Sequence, residues 1–243
     1  MYYGYGGYGY GLDLSYLILV LPCILFSLWA SSSVKSTFNR YSKVHSCRRL
    51  TGAQAAQRVL SANGVTGVRI EQVRGNLTDH YDPTTNVIRL SDSVYNSTSV
   101  AAIGVACHEA GHAVQYAHHY APIKLRAAII PLTNFGSKLA MPLIILGVFL
   151  SSMSYFGTMF VYLGIAAFGL SLVFQLITLP VEFNASQRAL RAIETGELLT
   201  AEERRGAKKT LTAAAMTYVA ATAVSLAQLL RLIMIFGGRR RDD

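Results

Sequence analysis

Residues 155–179 read YFGTMFVYLGIAAFGLSLVFQLITL, an uncharged stretch in which Gln175 is the most polar side chain. As a helix rising 1.5 Å per residue, it would reach roughly 37 Å, enough to cross a ~30 Å hydrocarbon layer. That reading makes the chain a membrane protein. The segment just before it, LAMPLIILGVFLSSM at 139–153, is short alone, but residues 129–137 extend it, with Lys138 snorkelling or paired. The spans at 127–153 and 155–179 therefore form a hairpin that turns near Ser151–Ser154. Upstream, 12–30 (LDLSYLILVLPCILFSLWA) is a further span, lacking the basic start of a cleavable signal peptide. Downstream, 211–236 is apolar and rich in Ala and Thr, with Gln228 and Arg231 near its end, and its small residues suit close helix packing.

Composition agrees. Of 243 residues, 52% are hydrophobic and 14% charged, with a mean hydropathy of +0.34. A soluble domain carries about a quarter charged residues, and a disordered chain is far less hydrophobic. Three cysteines, Cys23, Cys47 and Cys107, do not make a disulfide scaffold. The net charge of +9 falls mainly beside the spans: 11 basic against five acidic residues in 35–126, and six against five in 181–210. No Lys or Arg precedes Lys35, and residues 1–11 are a Gly/Tyr-rich tail. The positive-inside rule then runs the first helix inward and leaves both polar segments in the cytoplasm. A fully spanning fourth helix would put Arg239–Arg241 in the charged tail 237–243 outside, so its topology stays open.

The expected fold is a mostly α membrane protein of three to four transmembrane helices, with a small α+β domain at 31–126 on the cytoplasmic side. In that domain, Thr51–Ala62 reads as a helix capped by Thr51, and Val68–Val73 alternates as a half-buried strand. Asp82–Asn86 marks a turn between two extended runs. Ser99 to about His118 is helical, capped near Ser97–Ser99, with Pro122 beyond its end.

That last helix holds His108-Glu109-Ala110-Gly111-His112, an HExxH pattern. Spacing of four puts both imidazoles on one face, a turn apart, able to share a metal, while Glu109 can take a proton from a metal-bound water. Zinc suits two imidazoles and a carboxylate with one position open. Six His and seven Glu produce this pattern in only about 0.4% of shuffled chains. The surrounding run SVAAIGVACHEAGHAVQYA is apolar, and burying three polar groups there is costly without compensation. Gly111 costs the helix about 1 kcal/mol against Ala, which a close neighbour or an approaching substrate would rationalise.

Two positions compete as third ligand. His118 stands six residues after His112, but a helix turns it about 240° away. The glycine that would allow a return turn is replaced by Gln115. The other is Glu182, which follows the third span in LPVEFNASQRALRAIE, in the first turn of a helix starting near Pro180, at the same membrane mouth as the His pair. The remaining downstream Glu lie in ordinary exposed sequence, and Glu182 could also simply complement a helix dipole.

GNLTDHYDPTTNVIRLS, VACHEAGHAVQ and LPVEFNASQRAL together resemble the YugP-type (neutral) membrane zinc metallopeptidases, in that family's order and spacing. More distantly, the arrangement is similar to the heat-shock and CAAX-prenyl membrane zinc proteases. The resemblance implies that 31–126 is a zincin-like catalytic domain, with Zn2+ held by His108, His112 and Glu182 and with Glu109 as general base. Those relatives place an acid four residues after the third ligand; here Ser186 stands there, leaving Asn184 or Ser186 to orient a ligating His.

The expected activity is that of a zinc metalloendopeptidase, gluzincin-like, integral to a bacterial plasma membrane, acting on a peptide or membrane-protein substrate beside the lipid bilayer. Extended substrate would pair with a strand edge, taken as Val87–Leu90, and His80, Tyr81 or Arg188 would supply an oxyanion donor. Asp79 and Asp82 read as turn residues. A non-catalytic zinc-binding adaptor or chaperone is the alternative, though it has no use for Glu109. A metal transporter would place ionisable residues inside the spans, where only Lys138 and Arg231 occur in the last three. Spread juxtamembrane charge without a motif argues against nucleic acid.

Overall fold

The computed structural model describes residues 14–151 and 155–237. The Gly/Tyr-rich tail, residues 152–154 of the turn expected near Ser151–Ser154, and the Arg239–Arg241 cluster lie outside the described residues. After a π-helical turn at Tyr16–Val20 come α1 (Leu21–Tyr41), α2 (Gly52–Ala62), β1 (Arg69–Val73), β2 (His80–Asp82), β3 (Val87–Ser91), α3 (Val100–Ala117), α4 (Ala121–Ser151), α5 (Tyr155–Thr195) and α6 (Ala201–Gly237). Four helical segments, Tyr16–Tyr41, Ala121–Ser151, Phe156–Thr195 and Ala201–Gly237, are long and apolar enough to cross a membrane.

Every one of these helices outruns the apolar stretch that announces it. α1 continues 11 residues past Ala30, α4 starts at Ala121, and α6 starts ten residues before Leu211. α5 runs unbroken through Pro180, where a separate helix was expected to begin. Proline removes one backbone donor and crowds the carbonyl four residues earlier, but long helical runs on both sides of Pro180 hold the chain in register. Pro122 lies in the first turn of α4, where its missing N–H is no loss.

The chain divides into two units. One comprises Ala30–Pro131 and Phe174–Val219; the other comprises the described residues up to Trp29, Leu132–Val173, and those from Ala220 onward. In the second unit α4 and α5 approach at backbone distance: a Cβ added to Gly164 would lie 2.8 Å from the Ala140 carbonyl oxygen. Ile144, Val161, Leu232 and Phe236 form its buried cluster, and the Arg231 guanidinium lies over the Tyr16 ring at 5.2 Å.

The first unit carries the sheet. α2 begins with a reciprocal cap: Gln54 N–H donates to Thr51 Oγ1, and the Thr51 N–H donates to Gln54 Oε1. The strand order is β1-β3-β2, with β1 parallel and β2 antiparallel to β3. Val87–Leu90, expected as an exposed edge, therefore lies in the middle, and the edges are β1 and β2. The reason is visible in VIRLS: a near-continuous apolar run suits a strand flanked on both sides, and all of it except Arg89 is buried. Arg89 meets Asp82 at 2.9 Å on one side and Glu71 at 4.0 Å on the other. Asp82 also accepts from Thr84 N and Thr85 Oγ1, closing the turn. β3 and α2 pack with α3 around Leu60, Ile88, Leu90, Val94 and Ile103.

Candidate metal centre

Helix α3 is set in register by Ser99, whose hydroxyl accepts from Ala102 N at 3.2 Å. From there the 3.6-residue period brings His108 and His112 to one face, with ring centroids 4.7 Å apart. The glycine between them marks a helix crossing. A Cβ at Gly111 would lie 2.8 Å from the Ala185 carbonyl oxygen of α5. Only at that approach does Glu182, three residues earlier on α5, meet both imidazoles. Its Oε2 is 3.3 Å from His108 Nε2 and 3.5 Å from His112 Nε2. One donor atom from each of the three residues lies within 4.8 Å of the others.

Glu182 is only 3% exposed, and its Oε2 is buried without a hydrogen bond. A buried carboxylate oxygen facing two ring nitrogens without a bond is costly unless something positive sits among them. Two imidazole nitrogens and one carboxylate oxygen are the donor set zinc prefers in a site with a fourth position open. The residues present fit the ion.

The distal ring nitrogens are also committed. His112 Nδ1 is 3.0 Å from Gln115 Oε1, and His108 Nδ1 is 3.1 Å from Ser186 Oγ. The Gln115 amide is oriented in turn, since its Nε2 donates to Val181 O at 2.8 Å and Asn184 Oδ1 at 3.0 Å. Its carbonyl must then accept from His112 Nδ1–H, which leaves His112 Nε2 as the lone-pair nitrogen facing Glu182. Burial alone would lower the His112 pKa, but the Glu182 and Glu109 carboxylates and Gln115 outweigh it and raise it above the ordinary imidazole value. The local field favours positive charge here.

These groups open onto a cleft of about 240 Å3 that also takes in Glu109, Asp79, His80, Tyr81, Arg126 and Tyr218. Asp79 accepts from Ser91 N at 2.7 Å and from Ser91 Oγ at 3.0 Å, tying the start of β2 to the end of β3. Burial raises its pKa, and the nearby Glu109 carboxylate adds to the rise.

Of the residues singled out in the sequence, His108, Glu109, His112, Glu182, His80 and Tyr81 come together in this cleft. Ser186 touches His108 directly, and Asn184 acts through Gln115. Arg188 does not line the cleft; its Nε donates to Asn184 at 2.8 Å, and its guanidinium lies over the Tyr120 ring. His118 ends α3 and reaches the Asn63 carbonyl at 3.4 Å, outside the donor cluster. Three residues were not anticipated. Gln115 had the one usable signal, a polar residue inside an apolar run one turn after His112. Arg126, 3.1 Å from Glu182 Oε1, is masked by its place among the juxtamembrane charges. Tyr218, which interacts with Glu182, is one of 14 tyrosines.

A family model described as "Putative neutral zinc metallopeptidase" matches residues 16–237. A curated protein of Bacillus subtilis (strain 168), "Putative membrane protease YugP", is 48% identical over 228 residues, covering 94% of this chain and 99% of that protein. No solved structure matches the chain.

Proposed function

The chain belongs to the neutral zinc metallopeptidase family, and from that premise we propose that it is a membrane-embedded zinc endopeptidase whose site faces the cytoplasm. The observation that carries the reading is the convergence of His108 Nε2 and His112 Nε2 on the buried, unbonded Glu182 Oε2. These three side chains would hold the ion, in a small zincin-like domain built on α3 and the sheet. A zinc ion there supplies Lewis acidity toward the scissile carbonyl and brings the pKa of water toward 7.

The rest of the chemistry falls to the protein's own groups. Glu109 lines the cleft at 8% exposure, where a carboxylate can take the proton of the attacking water as the carbonyl carbon–oxygen bond forms. It then returns that proton to the amide nitrogen as the C–N bond breaks, leaving a new carboxylate and a new amine. Tyr218, which also interacts with Glu182, and His80 line the same cleft and are the donors we assign to the carbonyl oxygen as its negative charge develops. An extended substrate finds its backbone partner on β2, the sheet edge whose residues line the cleft, in place of β3.

The test is zinc content and proteolysis of purified protein, wild type beside Glu109→Gln. Zinc retained at equal stoichiometry with cleavage reduced by on the order of 1,000-fold or more is the expected pattern. A zinc-loaded wild type that cleaves no member of an unfolded-protein panel would point to a zinc-holding adaptor. A His118→Ala variant that loses zinc while Glu182→Ala keeps it would refute the ligand assignment.

A further inference from the structure

Glu182 presents two oxygens with different neighbours. Oε2 faces the two imidazoles, while Oε1 lies 3.1 Å from Arg126 Nη1. Among the described residues this is the one ion pair of Arg126, whose place in the sequence, just before an apolar run, reads on its own as a topogenic charge. We infer that Arg126 is the positioning residue of the third ligand: by holding Oε1, it presents Oε2 alone to the bound cation. This rests on the metal-site reading above.

A buried carboxylate with both oxygens free can turn, or offer both oxygens to one cation. Two-oxygen ligation would fill the position that a catalytic zinc site keeps open. A charge-assisted bond from a guanidinium is stronger and more directional than one from a neutral donor, so it fixes the carboxylate plane. Tyr218 interacts with the same carboxylate, but Arg126 is the charged group paired with Oε1. Opposing this is a cost, because the guanidinium charge repels a cation on the far side of the carboxylate. The two effects have opposite signs on metal affinity, so a measurement separates them.

The experiment measures zinc affinity of the full chain in detergent by competition with a chelator of known affinity, for wild type, Arg126→Gln, Arg126→Lys, Glu182→Gln and the double variant Arg126→Gln/Glu182→Gln. Positioning predicts that Arg126→Gln weakens binding by on the order of 10–100-fold. Arg126→Lys should recover part of the loss, since it restores charge without the planar fork. In the Glu182→Gln background the Arg126 change should matter by less than about two-fold, because the group it acts through is gone. Unchanged or tighter binding in Arg126→Gln, or an equal loss in the Glu182→Gln background, overturns the inference. If wild type holds no zinc, or Glu182→Gln holds it as tightly as wild type, the metal-site reading itself has failed. Should Arg126→Gln show no cooperative melting, Arg126→Lys and its own double variant decide by the same rule, with an expected loss of several-fold.

Discussion

Gln115 shows how one side chain can set the chemistry of another. It accepts from His112 Nδ1 only because Val181 O and Asn184 Oδ1 occupy its amide nitrogen. Gln115→Leu removes the acceptor and leaves the imidazole free to rotate or change tautomer, so zinc affinity should fall by on the order of 10–100-fold. Ser186→Ala, on the His108 side, should cost less, since a hydroxyl is the weaker orienting partner. Equal affinity of Gln115→Leu and wild type in a chelator competition would refute the tautomer argument. Asp79 makes a separate prediction. Its folded-state pKa is raised by burial and by the Glu109 charge. Its contribution to stability is therefore present below the ordinary carboxylate pKa and lost as pH rises through the folded value. Asp79→Asn keeps an acceptor for Ser91 N without the charge. The melting temperature of Asp79→Asn relative to wild type, measured with chelator present, should rise between about pH 4 and pH 7. A difference that stays flat over that range refutes it. The imidazole pair could be read in the sequence because both residues share one helix and one period. Glu182 stood out because an acid directly after an uncharged span needs a reason. Arg126 and Tyr218 could not be read, because their meaning depends on which helices meet.

The meeting of helices turns on Gly111. In isolation, Gly→Ala in a helix interior gains about 1 kcal/mol. Here the added methyl would lie 2.8 Å from the Ala185 carbonyl oxygen, a backbone atom that cannot swing aside. Overpacking of that kind costs about 1–3 kcal/mol, so the contact should prevail over propensity. Gly111→Ala is expected to melt lower than wild type and to bind zinc more weakly, because separating α3 from α5 withdraws Glu182 from the imidazoles. Gly104 is the internal control on the same helix: its added Cβ would meet the Ala207 methyl at 3.3 Å, and Gly104→Ala should lose less. A more stable Gly111→Ala with unchanged zinc affinity would show that the crossing has slack. The same contact explains which elements were legible. Apolar runs mark where helices must exist, and polar residues or prolines were taken as their ends. Backbone hydrogen bonding does not stop where hydropathy does, so α5 passes through Pro180 and α6 begins at Ala201. Strand order was illegible for a related reason. A three-residue β2 carries too little pattern to reveal which strand it covers, and only the ladders of β3 with β1 and β2, bridged by Arg89 to Glu71 and Asp82, show β3 enclosed.

At the scale of the whole molecule, charge predicts a topology that the chain's own cysteines can test. If all four apolar helices cross, Leu14 and Gly237 lie on one side, and the absence of Lys and Arg before Lys35, against 11 basic residues in 35–126, predicts that this side is outside. On that prediction the loop after α1 would face the cytoplasm together with α3. Cys47 lies in that loop and is exposed, whereas Cys107 is buried in the α3 core and Cys23 lies within the first span. A membrane-impermeant maleimide should therefore label Cys47 in inside-out vesicles and spare it in intact cells, and Cys47→Ser should abolish the signal. Glu203 accepts from the Cys47 backbone N–H, and it raises the thiol pKa through hydrogen bonding and charge. The reactive thiolate is thus scarcer than in a free cysteine, and labelling should speed up as pH rises from about 7 to 8.5. Glu203→Gln should label faster than wild type at the lower pH without changing the side from which it is reached. Labelling of Cys47 from outside intact cells would invert the topology and place the zinc site on the outer face. The charge asymmetry would then have to be explained by attraction to a surface other than the anionic inner leaflet.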